Sequence, residues 1–106
     1  MPLFEFENIP EKELIPGYHG RFVHTENNTH ALWRIEEGAV APDHRHPHEQ
    51  SVLVLEGALD LTVDGETMQL NPGTVFVIAG DVPHSATAVT PCTVLDIFFP
   101  VREDFR

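Results

Sequence analysis

The sequence predicts a single all-β domain, and three observations carry that prediction. Nine prolines and seven glycines punctuate the 106 residues, in the rhythm of about 8–12 residues typical of a β-sandwich or barrel. Between the breaks lie short runs rich in β-branched and large apolar residues. No window shows the sustained 3.6-residue apolar period of an amphipathic helix.

The runs, in order, are Ala31–Ile35, Ser51–Leu55, Ala58–Val63, Thr67–Leu70, Val75–Ile78, Ser85–Val89 and Thr93–Phe99. Asp64-Gly65 joins LDLTV to ETMQL, and both positions tolerate positive φ, so a tight hairpin is expected there. Glu56-Gly57 and Asn71-Pro72-Gly73 mark further turns. Only Glu11–Ile15 offers a helical turn, which Pro16-Gly17 would stop. Residues 1–30 read as an irregular or edge-strand segment ahead of the main domain, residues 31–106. Phe4, Phe6, Ile9, Leu14, Ile15, Phe22 and Val23 make that segment too apolar for a disordered tail. It is expected to lay one or two strands on the domain or on a partner subunit.

A chain of this length builds one domain whose core needs no disulfide staples. Cys92 is the single cysteine, which rules out an intrachain disulfide and cysteine-rich metal sites. Seventeen acidic residues against six basic ones give a net charge of −11. Such a surface repels phosphate backbones and anionic lipid, so neither nucleic acid nor a membrane is an expected partner. No apolar run approaches the ~20 residues of a membrane span, and no basic stretch followed by an apolar one opens the chain. With a lone free cysteine, a reducing and therefore cytoplasmic compartment is expected.

Seven histidines are many for this length, and His44, His46 and His48 fall close together. On a strand, His44 and His46 share one face, and two imidazoles on one face can ligate one metal ion. Gln50 opens the next apolar run and offers an amide oxygen. His84 begins a later strand, after Gly80-Asp81-Val82-Pro83. Spacing alone leaves a solvated pair of loop histidines equally open.

The stretch from Gly38 through His44, His46 and Gln50 to Gly57 resembles the first motif of the cupin superfamily, with Gln50 where many cupins carry glutamate. Gly73 to His84 resembles the second motif, with Ala79, Asp81 and Ala88 replacing the usual proline, glycine and asparagine. The resemblance implies a small jelly-roll β-barrel. It also implies one divalent metal ion per chain, held inside the barrel by His44, His46, Gln50 and His84. That donor set suits Ni, Zn, Fe, Mn or Cu. Its four neutral groups leave the full double charge of the ion in the pocket, where it can act as a Lewis acid and anchor an anionic substrate. His48 follows Pro47, which breaks strand parity, and matches no ligand position, so a place on the rim is expected. His19, His24 and His30 are expected to be solvated.

The second informative stretch is Thr93–Phe105. Asp96 interrupts an apolar strand, and alternation puts Asp96 and Phe98 on one face with Leu95, Ile97 and Phe99 on the other. Pattern alone favours a solvated Asp96 followed by a charged tail. The order Asp96-x-Phe98-x-Pro100-x-Arg102-Glu-Asp-Phe105, with HRHPHEQ and VLEG upstream, resembles the KdgF-like cupins of pectin and alginate breakdown. That resemblance implies conversion of 4,5-unsaturated monouronates to the linear keto form, with an unsaturated uronate, a small anionic sugar, as partner. It further implies catalytic roles for three residues: Asp96 as proton shuttle, Phe98 as an apolar wall and Arg102 as a carboxylate clamp. The alternatives are another metal-dependent cupin enzyme, either a dioxygenase or a sugar isomerase, and a non-enzymatic cupin that binds a small molecule. A homodimer is expected, because small β-barrels leave open edges and the apolar N-terminal segment needs a surface to cover.

Overall fold

A computed structural model describes every residue, Met1–Arg106. Its ten strands are β1 (Lys12–Ile15), β2 (Tyr18–His24), β3 (Thr29–Ile35), β4 (Val40–His44), β5 (Glu49–Glu56), β6 (Leu59–Val63), β7 (Glu66–Leu70), β8 (Phe76–Ile78), β9 (His84–Ala88) and β10 (Cys92–Phe99). Short 3-10 turns at Phe6–Asn8 and Glu103–Phe105 complete the chain. The strands form two antiparallel sheets, one in the order β1-β2-β3-β10-β5-β8 and one in the order β4-β9-β6-β7. The domain is all-β, as the sequence predicts, and has the double-sheet architecture of a jelly roll.

Each run read from the sequence seeds one strand. Asp64 (φ 50) and Gly65 (φ 84) form the expected two-residue turn, and the β6–β7 ladder runs from Leu59↔Leu70 to Val63↔Glu66. Two elements differ from expectation. The helical turn expected over Glu11–Ile15 is instead strand β1, because Lys12–Ile15 finds a ladder partner in β2 and four residues cannot sustain a helix alone. Strand β4 matches no predicted run. Pro42 and Asp43 disguise it, and a proline is tolerated there because β4 is an edge strand. β2 pairs with β3 from Tyr18↔Ile35 to His24↔Thr29, so the large sheet runs without a break across residue 31.

The core lies between the sheets, around Trp33, Ile35, Val52, Val54, Leu59, Leu61, Ile78, Val94 and Phe98. β10 sits centrally in the large sheet, flanked by β3 and β5. Its register sets Phe98 opposite Gln50 and Asp96 opposite Val52. Two candidate site residues and one candidate ligand therefore face inward side by side.

Candidate metal centre and cavity

Two backbone devices bring the histidines together. β4 and β9 pair with His44 opposite His84, after an irregularity between Ala41 and His44. His46 lies just past the end of β4, and its carbonyl accepts the Asp81 N–H at 2.7 Å. A Cβ on Gly80 would stand 2.4 Å from the Pro47 carbonyl oxygen. Only glycine therefore lets the histidine loop lie directly on the turn that precedes His84. Within that turn Asp81 takes φ 63, a left-handed conformation. Aspartate tolerates it better than most residues, so it stands here where the cupin motif has glycine.

The potential ligand atoms of His44, His46 and His84 all lie within 4.8 Å of one another. Each Nδ1 is held by a carbonyl: His44 by Pro42 at 2.7 Å, His46 by His48 at 3.1 Å and His84 by Val82 at 2.8 Å. Carbonyls only accept, so each Nδ1 carries its hydrogen and each Nε2 keeps a lone pair. His84 Nε2 is buried without any partner. Gln50 donates from Nε2 to Asp96 Oδ2 at 3.0 Å, which leaves its Oε1 facing His46 Nε2, also at 3.0 Å. Two acceptors at that distance repel unless a positive centre lies against both. Two donors each ~2.1 Å from one metal at a right angle stand about 3.0 Å apart. Burial, reinforced by the positive charge of Arg102, pushes His46 down to about 4, and burial also lowers His84. Both are therefore neutral at pH 7, the form that binds metal. The donor set fits a divalent ion.

A cavity of about 320 Å³ adjoins this centre. His44, Gln50, His84, Asp96, Phe98 and Arg102 all line it, and the His46 ring lies 5.7 Å from that of Phe98. Asp96 is buried, not solvated. Its Oδ2 accepts from Gln50 and from Trp33 Nε1, the latter at 3.1 Å, and its Oδ1 is buried without a partner. Burial pushes its carboxyl up to about 7, against the opposing hydrogen bonds and the Arg102 charge. Arg102 is also buried. Its guanidinium lies 4.8 Å from the Phe98 ring centre and 4.0 Å from that of Phe105. Nε and Nη2 are bonded to Asp104 at 2.9 and 2.6 Å. That edge is committed within the chain, so Nη1 and the second Nη2 hydrogen are what a ligand can use.

His48 lies beside His46 and Phe98, at ring separations of 5.5 and 6.5 Å, and its carbonyl orients His46. His19, His24 and His30 are half-buried rather than solvated, because β2 and β3 are strands of a packed sheet and not an irregular segment. His19 meets Glu36 at 2.7 Å, His24 meets Thr29 at 2.9 Å, and His30 Nδ1 is buried without a partner. Sequence reasoning missed Trp33 and Asp104, which hold Asp96 and Arg102. Trp33 is the only tryptophan and sits on a predicted strand, a signal that could have found it. It also missed Leu14, Ile15 and Tyr18 of the N-terminal third, all of which line the cavity.

Compared with known proteins, residues 31–98 match the model of the Cupin domain. The chain belongs to the cupin family. This cupin is 30% identical over 71 residues to the pectin degradation protein KdgF of Dickeya dadantii (strain 3937), a match spanning 65% of this chain and 64% of that one. Less than two-thirds of that relative's length is therefore covered. Among solved structures, KdgF from Halomonas sp. superposes with a TM-score of 0.93 at 30% identity, over 99% of this chain and 100% of the other. An RmlC-like cupin from Shewanella frigidimarina NCIMB 400 gives 0.92 at 28%, over 100% and 97%. No helix of this cupin is long and apolar enough to cross a membrane.

Proposed function

We propose that this cupin converts 4,5-unsaturated monouronates to their linear keto form, as its likeness to KdgF proteins suggests. One observation carries the reading. A buried carboxyl poised near neutrality, Asp96, is joined through Gln50 to a cluster of three imidazoles beside one cavity.

The reaction is an isomerisation. A proton leaves the anomeric hydroxyl, the C1–O5 bond breaks, and a proton added at C4 turns the enol into a C5 ketone. A divalent ion held by His44, His46, His84 and Gln50 would supply Lewis-acid stabilisation of the negative charge that develops on oxygen. Asp96 exchanges the proton through Oδ1, the oxygen that makes no internal bond. A carboxyl near 7 suits both directions of that exchange. Arg102 meets the uronate carboxylate through Nη1. Asp104 and the two phenyl rings hold the guanidinium still, which lowers the entropy lost on binding. Phe98 walls the ring and keeps bulk water away. The test is product analysis by NMR in heavy water with metal-loaded protein. The expected product is an isomer of the substrate with a C5 ketone and deuterium at C4. Consumption of dissolved oxygen during turnover would contradict the reading and favour a dioxygenase.

The same reading includes a homodimer. Leu55, Val77 and Phe99 lie about half exposed on adjacent strands of the large sheet. With Leu53, Leu95 and Ile97 beside them they form an outer face free of charge at its centre, in a chain of net charge −11. Such a face suits a second copy better than water. Sedimentation is expected to give the mass of two chains, and the mass of one would contradict it.

A further inference from the structure

We infer that the cavity has a second, apolar compartment beneath the metal-ligand end, built to take a short alkyl or aryl group carried by an anionic ligand. The inference rests on the reading above for its anion-binding end and adds a ligand class to it.

Four strands make the same change of chemistry. Along β9 the inward residue after His84 is Ala86, along β5 Gln50 gives way to Val52, along β10 Asp96 gives way to Val94, and β4 passes from His44 back to Ala41. Two strand residues span ~7 Å. Asp96 stands opposite Val52, one step deeper than Gln50, so its carboxyl borders the apolar part, and one step further the lining residues Ala41, Ala86 and Val94 carry no polar side chain. Ala41 and Ala86 are paired across β4 and β9. Methyl groups therefore stand where larger side chains would fill the interior, and Leu61 of β6 lines the cavity beside Ala86. Tyr18 also reaches this layer, but its hydroxyl is spent on the Ala86 carbonyl at 3.1 Å. Ile15, on the edge strand β1, completes the wall.

A polyhydroxylated group placed there would lose water and find no partner, whereas an apolar group would gain from leaving water. Cavities lined this way stay dry and accept hydrocarbon. Above it, the free edge of Arg102 and a divalent ion held by the histidines would hold the ligand's carboxylate. The compartment thus selects carboxylates with a compact apolar substituent.

The test is an NMR titration of the zinc-loaded full chain with acetate, butanoate, hexanoate and phenylacetate. Affinity should rise by up to about fourfold per buried methylene, with shifts at the methyl groups of Leu61 and Val94. Ile15→Asn, on an edge strand, should flatten the rise. The wild-type series decides even if that variant does not fold. Equal affinities along the series, or shifts confined to Leu55 and Val77 on the outer sheet face, would overturn the inference. Unsaturated-uronate turnover is measured separately on the same sample. Turnover with a flat series removes only the compartment, and a rising series without turnover removes only the proposed reaction.

Discussion

Gln50 Oε1 and His46 Nε2 face each other at 3.0 Å, lone pair toward lone pair, because Gln50 has turned its amide hydrogens to Asp96 and His46 has given its own to the His48 carbonyl. A cation removes that repulsion, and either partner alone would not need one. Gln50 therefore ties two functions together: it presents an oxygen to the metal and hydrogen-bonds the candidate acid/base. Gln50→Glu tests this coupling. The variant should keep its metal by elemental analysis but bind anions about tenfold or more weakly in titrations, since a carboxylate halves the charge the ion leaves in the pocket.

His84 brings its ligand atom from the opposite end of the sequence and leaves it buried without another use. His84→Ala should lower metal affinity by at least about 100-fold, since even supporting residues of metal sites cost 10–100-fold. A full metal complement in both His84→Ala and His44→Ala would place the ion elsewhere.

The C-terminal turn is pinned by Arg102 and Asp104, and Phe105 packs its ring 6.0 Å from the ring of Trp33. The Arg102 guanidinium holds the Asp104 carboxyl below its usual range. A depressed carboxyl contributes stability that is present above its unfolded pKa of about 4 and is lost as pH falls through the folded value. Asp104 is largely exposed, so the contribution is small and local. Emission of Trp33, the only tryptophan, should report release of Phe105 below about pH 4. Asp104→Asn should show the released signal already at pH 7.

Asp81 holds a left-handed conformation in the turn before His84. Glycine adopts it without the Cβ penalty of roughly 1–2 kcal/mol, though it adds freedom to the unfolded chain. Asp81→Gly should raise stability by about 0.5–1 kcal/mol in chemical denaturation and leave metal content unchanged. A loss of stability would mean that the aspartate side chain, and not only its backbone, supports the turn.

Much of this was legible in the sequence because it is encoded locally. Alternation and turn residues mark the strands, and the same parity that buries Val94 and Phe98 buries Asp96 between them. His44, Gln50 and His84 are readable because each lies at or next to the end of a strand at the cavity. What was not legible depends on pairing across long sequence distances. β1 becomes a strand only because β2 lies beside it, and β4 only because an edge position forgives Pro42. Trp33 meets Asp96 through the register of β3 against β10, with Asp96 opposite Ala31. No single run of sequence reveals that contact. The Arg102–Asp104 pair is local, but side-chain preference alone does not say whether the guanidinium turns toward its neighbour or into the cavity.

Under the proposed function, metal-loaded protein accelerates the opening of a 4,5-unsaturated monouronate and Asp96 carries the proton. The direct measurement is the decay of the ultraviolet absorbance of the C4=C5 double bond, followed with and without protein. Wild-type protein with one metal ion bound should outpace the spontaneous decay, and Asp96→Asn with equal metal content should lose ~10²–10⁴-fold in rate. Wild-type protein that is fully metal-loaded yet leaves the decay at its spontaneous rate would contradict the account.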